Sequence, residues 1–128
     1  MNYENFQVAV RAIIKRGDQI LLVSENEDYW VTPGGYVDKG EEITEALKRE
    51  VKEELSVEVT NFTFVSIAEF KDKRYEVRKI ELYFLVEVDG EIELQDPDLK
   101  VKHARYYSLE EVKKIKYYPE FLTDFFQD

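Results

Sequence analysis

Three glutamates near the middle of the chain, Glu50, Glu53 and Glu54, have the type and spacing to do chemistry together. On a helix that advances about 100° per residue, Glu50 and Glu54 lie about 40° apart and beside an apolar stripe that includes Leu47 and Val51. Clustered carboxylates repel one another, and a hard divalent cation such as magnesium, which prefers oxygen ligands, relieves the repulsion. The pattern therefore indicates a metal site. The alternative is a surface helix with a surplus of glutamate.

The composition limits the other kinds of chemistry that are open to this chain. It has no cysteine and one histidine, His103, so disulfides and zinc–thiolate sites are excluded and a Ser-His-Asp triad is not expected. The net charge of −10 argues against a broad nucleic-acid surface, because phosphate backbones are bound by clustered Lys and Arg. Catalysis must depend mainly on carboxylates, and a phosphate ligand would need a divalent cation between itself and the protein.

The length and the apolar content predict a single folded domain over residues 1–128. Hydrophobic residues make up 44% of the 128, and no repeat or linker interrupts them. No stretch approaches the roughly 18 apolar residues of a membrane span, and the first five residues lack the features of a secretory signal. We therefore expect a cytoplasmic protein without a membrane partner.

The acidic segment and the residues before it predict a helix preceded by a tight turn. Good helix formers without Gly or Pro run from Ile43 to Leu55. Before them, Pro33-Gly34-Gly35 separates the short apolar pieces 29–31 and 36–37. Two adjacent glycines indicate unusual backbone angles or the close approach of another group.

The remaining segments predict an α/β fold, with a mixed β-sheet and helices packed on both faces. Strands are predicted over residues 6–15, 20–24, 57–70, 75–88, 91–94 and 101–107, with hairpin turns at 16–19 and 71–74. Ser108 and Glu111 form a capping-box pattern that predicts a helix to about Ile115. Pro119 suits the first turn of a last, Phe-rich helix, which either docks on the core or contacts a second copy in a homodimer.

The spacing from Gly35 onward resembles the Nudix box. That pattern is Gly, five residues, Glu, seven residues, Arg-Glu, an aliphatic residue, any residue, Glu-Glu, any residue, Gly and an aliphatic residue. The identities lie at Gly35, Glu41, Arg49, Glu50, Glu53 and Glu54, and the aliphatic places hold Val51 and Val57. Only Ser56 departs, in place of the second glycine. The resemblance implies a Nudix-type α/β/α sandwich over nearly the full length.

The same resemblance implies roles for the residues of the box. Glu50, Glu53 and Glu54 would bind Mg²⁺, with Mn²⁺ as the alternative ion, and Arg49 would orient the glutamates. Glu41 would support the metal site or bind a further ion. Glu50 is one candidate for the general base, although in this family that role can lie outside the box.

The activity that the resemblance implies is that of a pyrophosphohydrolase. The family splits a nucleoside diphosphate linked to another group, through attack of water on a phosphorus atom. The substrate would be a small nucleotide, either a nucleotide sugar such as ADP-ribose or a nucleoside triphosphate as in MutT-like members. The alternative is a Nudix-fold module that binds a nucleotide without hydrolysing it.

Residues outside the acidic helix are candidates for binding the substrate. Gly34 and Gly35 allow its close approach, and Tyr36 follows them. Trp30, together with its neighbour Tyr29, could stack on a base, although aromatic residues beside a sheet more often belong to the core. Arg78 and the adjacent Lys79 lie within a predicted strand and could reach into a cleft.

Ser56 is expected to affect the backbone more than the activity. Gly at this place suits a left-handed residue that ends the helix, and a non-Gly residue in that conformation costs about 1 kcal/mol. Serine at this position removes no predicted metal ligand.

Overall fold

A computed structural model of the chain describes residues 5–72, 77–94 and 100–126. The strands are β1 Asn5–Arg16, β2 Gln19–Ser24, β3 Trp30–Val31, β4 Gly34–Tyr36, β5 Glu58–Asp72, β6 Val77–Asp89, β7 His103–Ser108 and β8 Tyr117–Tyr118. The helices are α1 Ile43–Leu55 and α2 Leu109–Val112, followed by a 3₁₀ helix at Glu120–Phe125.

The strands in the described part of the chain form one mixed sheet. Its order is β5-β6-β1-β2-β3-β8, while β4 pairs with β1 and β7 pairs with β2 off this path. β1 lies near the centre, antiparallel to β2 and β4 and parallel to β6. Its Arg11 therefore lies opposite both Gly34 on β4 and Tyr83 on β6.

Each face of the sheet carries its own apolar cluster, because successive side chains of a strand point to opposite faces. Val10, Ala12 and Ile14 of β1 pack in the cluster that α1 covers through Leu47 and Val51. On the other face, the cluster comprises Ile13, Ile20, Leu22, Trp30, Tyr83, Tyr107, Val112, Leu122 and Phe126. The predicted mixed sheet with helices on both faces is confirmed.

Helix α1 has the predicted bounds and ends on a left-handed residue. Ser56 has φ 62° and ψ 28°, its N–H donates to Lys52 O, and its hydroxyl donates to Glu93 O at 2.9 Å. The side-chain hydrogen bond compensates in part for the strain that a non-Gly residue carries in this conformation.

The predicted strand at Glu91–Leu94 is wrong. In this segment, Glu93 N–H donates to Leu55 O and Glu93 O accepts the Ser56 hydroxyl, so the backbone is bound to the end of α1 instead of to a neighbouring strand.

The ends of three other predicted elements differ in detail or cannot be compared. The capping box of Ser108 and Glu111 is present, but α2 ends at Val112 instead of near Ile115. The last helix is of the 3₁₀ type and docks on the core through the buried Leu122. Residues 73 and 74 of the predicted hairpin turn lie outside the described residues.

In the ranges that are described, no helix is long and apolar enough to cross a membrane.

Candidate active site

The acids of α1 differ in burial as the helical wheel predicts. Leu47, Val51 and Leu55 are fully buried, and Glu54, on the same side, is only 8% exposed. The Glu50 side chain is largely buried as well, whereas that of Glu53 is 45% exposed. Two of the three box carboxylates on α1 are therefore held against the core, where an isolated negative charge is costly.

Arg49 brings three of the box glutamates together. Its guanidinium donates to both carboxylate oxygens of Glu41, at 2.7 and 2.9 Å. One nitrogen, Nη1, donates to Glu50 at 2.9 Å and to Glu53 at 3.2 Å, and Nη2 also reaches Tyr36 O at 3.0 Å. Arg49 thus contacts three of the acids and ties α1 to β4, and the orienting role that the resemblance implies for it stays a prediction.

The glycine turn provides the wall against which the carboxylates lie. Gly34 has φ +150°, and a Cβ there would lie 2.0 Å from Val10 O, so a side chain has no room. Its N–H donates to Glu54 Oε2 at 3.0 Å. At Gly35, a Cβ would lie 2.5 Å from the Glu50 carboxylate. Gly34 therefore allows β4 to approach the backbone of β1 while its N–H binds Glu54, and Gly35 allows the Glu50 carboxylate to approach the backbone of β4.

Burial and mutual repulsion raise the pKa of two of these acids. Desolvation raises the pKa of Glu54 to about 8, and the nearby Glu50 and Glu53 add to the shift. Desolvation also raises the pKa of Glu50, against the opposing effect of Arg49. The pKa of Glu41 is lowered to about 2 because Arg49 and the Asp38 N–H donate to its carboxylate. The Gly34 N–H and the charge of Arg11 lower the pKa of Glu54 only in part, so the charge of the Glu54 carboxylate is incompletely compensated.

A cavity of about 440 Å³ borders the buried carboxylate. Glu54, Gly34 and Gly35 form one part of its wall, and Tyr36 and Tyr29 form another. The two tyrosines are about half exposed, so their rings are accessible to a ligand. Three predicted substrate-binding residues, Gly34, Gly35 and Tyr36, therefore line one cavity with Glu54, and their binding of a substrate stays a prediction.

Two predicted binding residues lie elsewhere. Trp30 is 5% exposed, donates its indole N–H to Glu27 O and packs edge-on against Tyr107 in the core. A buried indole cannot stack on a nucleobase without repacking, so the structure does not support that role for Trp30. Arg78 lies over the Phe6 ring and close to Glu69, and it is not among the residues that line the cavity.

Lys79, the neighbour of Arg78, lies nearer to the cavity. Its ammonium group lies 5.5 Å from the centre of the Tyr36 ring. The cation therefore supports the orientation of a tyrosine that borders the cavity.

The carboxylates do not yet form a set of metal ligands. Among residues 5–72, 77–94 and 100–126, no group of three His, Cys, Asp or Glu side chains is arranged to hold an ion. The carboxylates accept hydrogen bonds from the protein itself. Glu50 and Glu53 accept from the Arg49 guanidinium, and Glu54 accepts from the Gly34 N–H. Metal binding by Glu41, Glu50, Glu53 and Glu54 stays a prediction.

Sequence reasoning missed a charged pair at the cavity. Arg11 lines the cavity, and its Nε donates to Glu81 Oε2 at 2.9 Å. Glu81 is 3% exposed on β6. Arg11 and Glu81 interrupt the apolar runs of β1 and β6, but these interruptions do not show that the two side chains contact each other.

Comparisons with known proteins agree with the fold and the box. The NUDIX domain model matches residues 5–128. The chain is 32% identical over 90 residues to a protein named 8-oxo-dGTP diphosphatase from Buchnera aphidicola, covering 67% of this chain and 64% of the relative. It is 28% identical over 115 residues to a protein named ADP-ribose pyrophosphatase from Methanocaldococcus jannaschii, covering 86% and 66% of the two chains.

A solved structure, that of a MutT NUDIX hydrolase from Burkholderia pseudomallei, has a TM-score of 0.76 at 26% identity. The similarity covers 84% of this chain and 87% of that one. The chain spans just under two thirds of the length of the two curated relatives. Because the domain model matches nearly all of the sequence, this chain belongs to the Nudix family.

Proposed function

We propose that this protein is a pyrophosphohydrolase that cleaves a nucleoside diphosphate linked to another group. The observation that carries the proposal is the buried acidic cluster of α1, held against a glycine turn at the wall of a 440 Å³ cavity. The volume lies within the range of small-molecule sites. Glu54 is buried and shows no ion pair among the described residues, which is costly for a carboxylate, and a function in metal binding accounts for it.

The donor set of the cluster fits magnesium or manganese. Glu50, Glu53 and Glu54 offer only carboxylate oxygens, the ligands that these hard cations prefer. The raised pKa of Glu54 reflects a carboxylate that lacks compensating charge, and an added cation would supply it. These three residues would hold the ion, with Glu41 in support. When bound, the ion neutralises phosphate charge and lowers the pKa of an attacking water.

Arg49 and Glu50 would orient the carboxylates and accept a proton, respectively. Arg49 fixes the directions of Glu50 and Glu53 through its Nη1 hydrogen bonds. Glu50 is our candidate for the general base, because it is largely buried and its burial raises its pKa. Its carboxylate would accept the proton of the water that attacks phosphorus.

The tyrosines suggest how the nucleoside would be bound. Tyr29 and Tyr36 border the cavity with accessible rings, and stacking on a base requires such a surface. The two curated relatives are named for 8-oxo-dGTP and ADP-ribose, which both contain a purine nucleoside and a phosphoanhydride. We propose that the substrate belongs to one of these two classes, a nucleoside triphosphate or a nucleoside diphosphate sugar.

A hydrolysis screen tests this function. The intact chain is incubated with nucleoside triphosphates, ADP-ribose and other nucleoside diphosphate sugars, with magnesium or with a chelator, and the products are separated by chromatography. We expect a nucleoside monophosphate to accumulate from at least one substrate, only in the presence of metal. Binding of a nucleotide without any product would favour the non-hydrolysing module, and turnover that persists in the chelator would contradict the metal chemistry.

A further inference from the structure

The pair formed by Arg11 and Glu81 combines a buried anion with a cation at the cavity. Glu81 is 3% exposed, whereas the Arg11 side chain is 24% exposed. Burying a carboxylate is costly unless it is paired and hydrogen-bonded. Glu81 meets both conditions, because Arg11 donates to Oε2 at 2.9 Å and the Tyr83 hydroxyl donates to Oε1 at 3.2 Å.

These contacts hold the Arg11 guanidinium in place but use only part of its hydrogen-bond donors. The Nε atom donates to Glu81, and Nη1 donates to Thr32 O at 3.2 Å. Within the described residues, the hydrogen bonds of Arg11 thus use two of the five N–H groups that a guanidinium carries. The group is held at one edge, and its remaining donors suit the bidentate binding of a phosphate.

Arg11 also lies next to the acidic cluster. Its backbone pairs with that of Gly34, whose N–H donates to Glu54. The side chains of Arg11 and Glu54 line the same cavity. Arg49, the other arginine at this site, is already engaged by Glu41, Glu50, Glu53 and the Tyr36 carbonyl. A polyanion that approaches a chain with a net charge of −10 needs a local cation with donors to spare.

We propose that Arg11 is a phosphate-binding residue of this site, with its guanidinium held at the cavity wall by the buried Glu81. The inference rests on the proposed function for the identity of the ligand, because it takes a phosphate group to be what the cavity binds. Arg11 would bind the phosphate equally well in the ground state and in the transition state. Replacing Arg11 should therefore raise KM more than it lowers kcat.

The variants must avoid leaving Glu81 buried without a partner, since that would destabilise the fold. We therefore compare Glu81→Gln with the double variant Arg11→Gln/Glu81→Gln, which differ only at position 11. Glutamine at position 81 keeps one acceptor oxygen for Arg11, and its N–H₂ group can donate to the Tyr83 hydroxyl oxygen. Arg16→Gln is the charge control, because Arg16 lies on the same strand but stacks on Tyr106 away from the cavity.

The binding of inorganic pyrophosphate in the presence of magnesium is measured by calorimetry for each variant, below its melting temperature. We expect Arg16→Gln to bind within about threefold of the wild type, and the double variant to bind about 10- to 100-fold more weakly than Glu81→Gln, which serves as its reference. Magnesium alone should bind the double variant at least as tightly as it binds Glu81→Gln, because the positive charge of Arg11 has been removed. For the best substrate, KM should rise about tenfold or more with kcat within about threefold.

Equal pyrophosphate affinity of Glu81→Gln and the double variant would overturn the proposal and leave the pair with a structural role. The same conclusion follows if magnesium binding falls in parallel with pyrophosphate binding. If the wild type hydrolyses no nucleotide yet pyrophosphate binding still depends on Arg11, the proposed function fails while Arg11 remains an anion-binding residue. The two failures are therefore distinguishable.

Discussion

Gly35→Ala should lower the rate of the proposed hydrolysis about 100-fold while leaving the fold largely intact. An alanine Cβ at this position would lie 2.5 Å from the Cδ and Oε2 atoms of Glu50. That is about 1 Å closer than ordinary van der Waals contact, so the carboxylate must move by about that distance. A misplacement of about 1 Å in an active site can lower the rate by about 100-fold.

The cost to stability should be small because the atom that must move is the end of a flexible side chain. A shifted Glu50 rotamer costs about 1 kcal/mol, and alanine recovers about 0.4–1 kcal/mol by restricting the unfolded chain. We expect the melting temperature to change by less than about 5 °C. Calorimetry measures this change, and steady-state kinetics with the best substrate of the screen measures the loss in kcat/KM.

Gly34→Ala is the matched control, since the same methyl group would there meet backbone. Its Cβ would lie 2.0 Å from Val10 O at a φ of +150°. We expect a loss of about 2–4 kcal/mol in unfolding free energy. Wild-type kcat/KM in Gly35→Ala would refute the reasoning that the position of Glu50 governs catalysis. Equal destabilisation by the two substitutions would show that the Gly35 contact is not relieved by the side chain.

Three further predictions concern stability. Without metal, Glu54 has a pKa of about 8 in the folded state and 4.5 in the unfolded state, so the unfolding free energy of the wild type falls by up to about 5 kcal/mol as the pH rises between these values. Urea unfolding in a chelator should therefore show the stability advantage of Glu54→Gln growing from pH 5 to pH 8, and a constant difference would contradict the burial argument. Magnesium at 100 times its dissociation constant should add about 2.7 kcal/mol to the wild type, and an unchanged melting curve would argue against a metal site. Ser56→Gly should stay within about 1 kcal/mol of the wild type, because relief of the left-handed strain offsets the lost hydrogen bond to Glu93 O, whereas Ser56→Ala should lose about 1 kcal/mol in the same assay. Equal stability of the two Ser56 variants would show that the strain and the hydrogen bond do not offset each other in this way.

The acidic face of α1 could be predicted from sequence because the helical period is local information. The positions of Leu47, Val51 and Leu55 define the buried side, and the period then places Glu54 beside them. The box spacing adds Glu41 and Arg49, whose contact follows from the helix and the turn that precedes it. For this part of the site, short-range spacing was sufficient.

The contacts that the sequence did not predict depend on pairing between distant strands. Arg11 and Glu81 are 70 residues apart and meet because β1 and β6 pair in parallel, which neither strand's pattern encodes. The sequence named both Tyr29 and Trp30 as stacking candidates but could not decide which ring faces the cavity. That depends on the packing of β3, where Trp30 is buried in the core while Tyr29, just before the strand, lines the cavity.

The central claim is that the carboxylates of α1 perform metal-dependent cleavage of a phosphoanhydride. The most direct measurement compares kcat for Glu53→Gln and Glu54→Gln with that for Glu45→Gln, an exposed glutamate of the same helix, at saturating substrate and limiting magnesium. We predict a loss of about 100-fold or more for the first two variants, and a change within about twofold for Glu45→Gln. Near-wild-type turnover of both Glu53→Gln and Glu54→Gln would contradict the account.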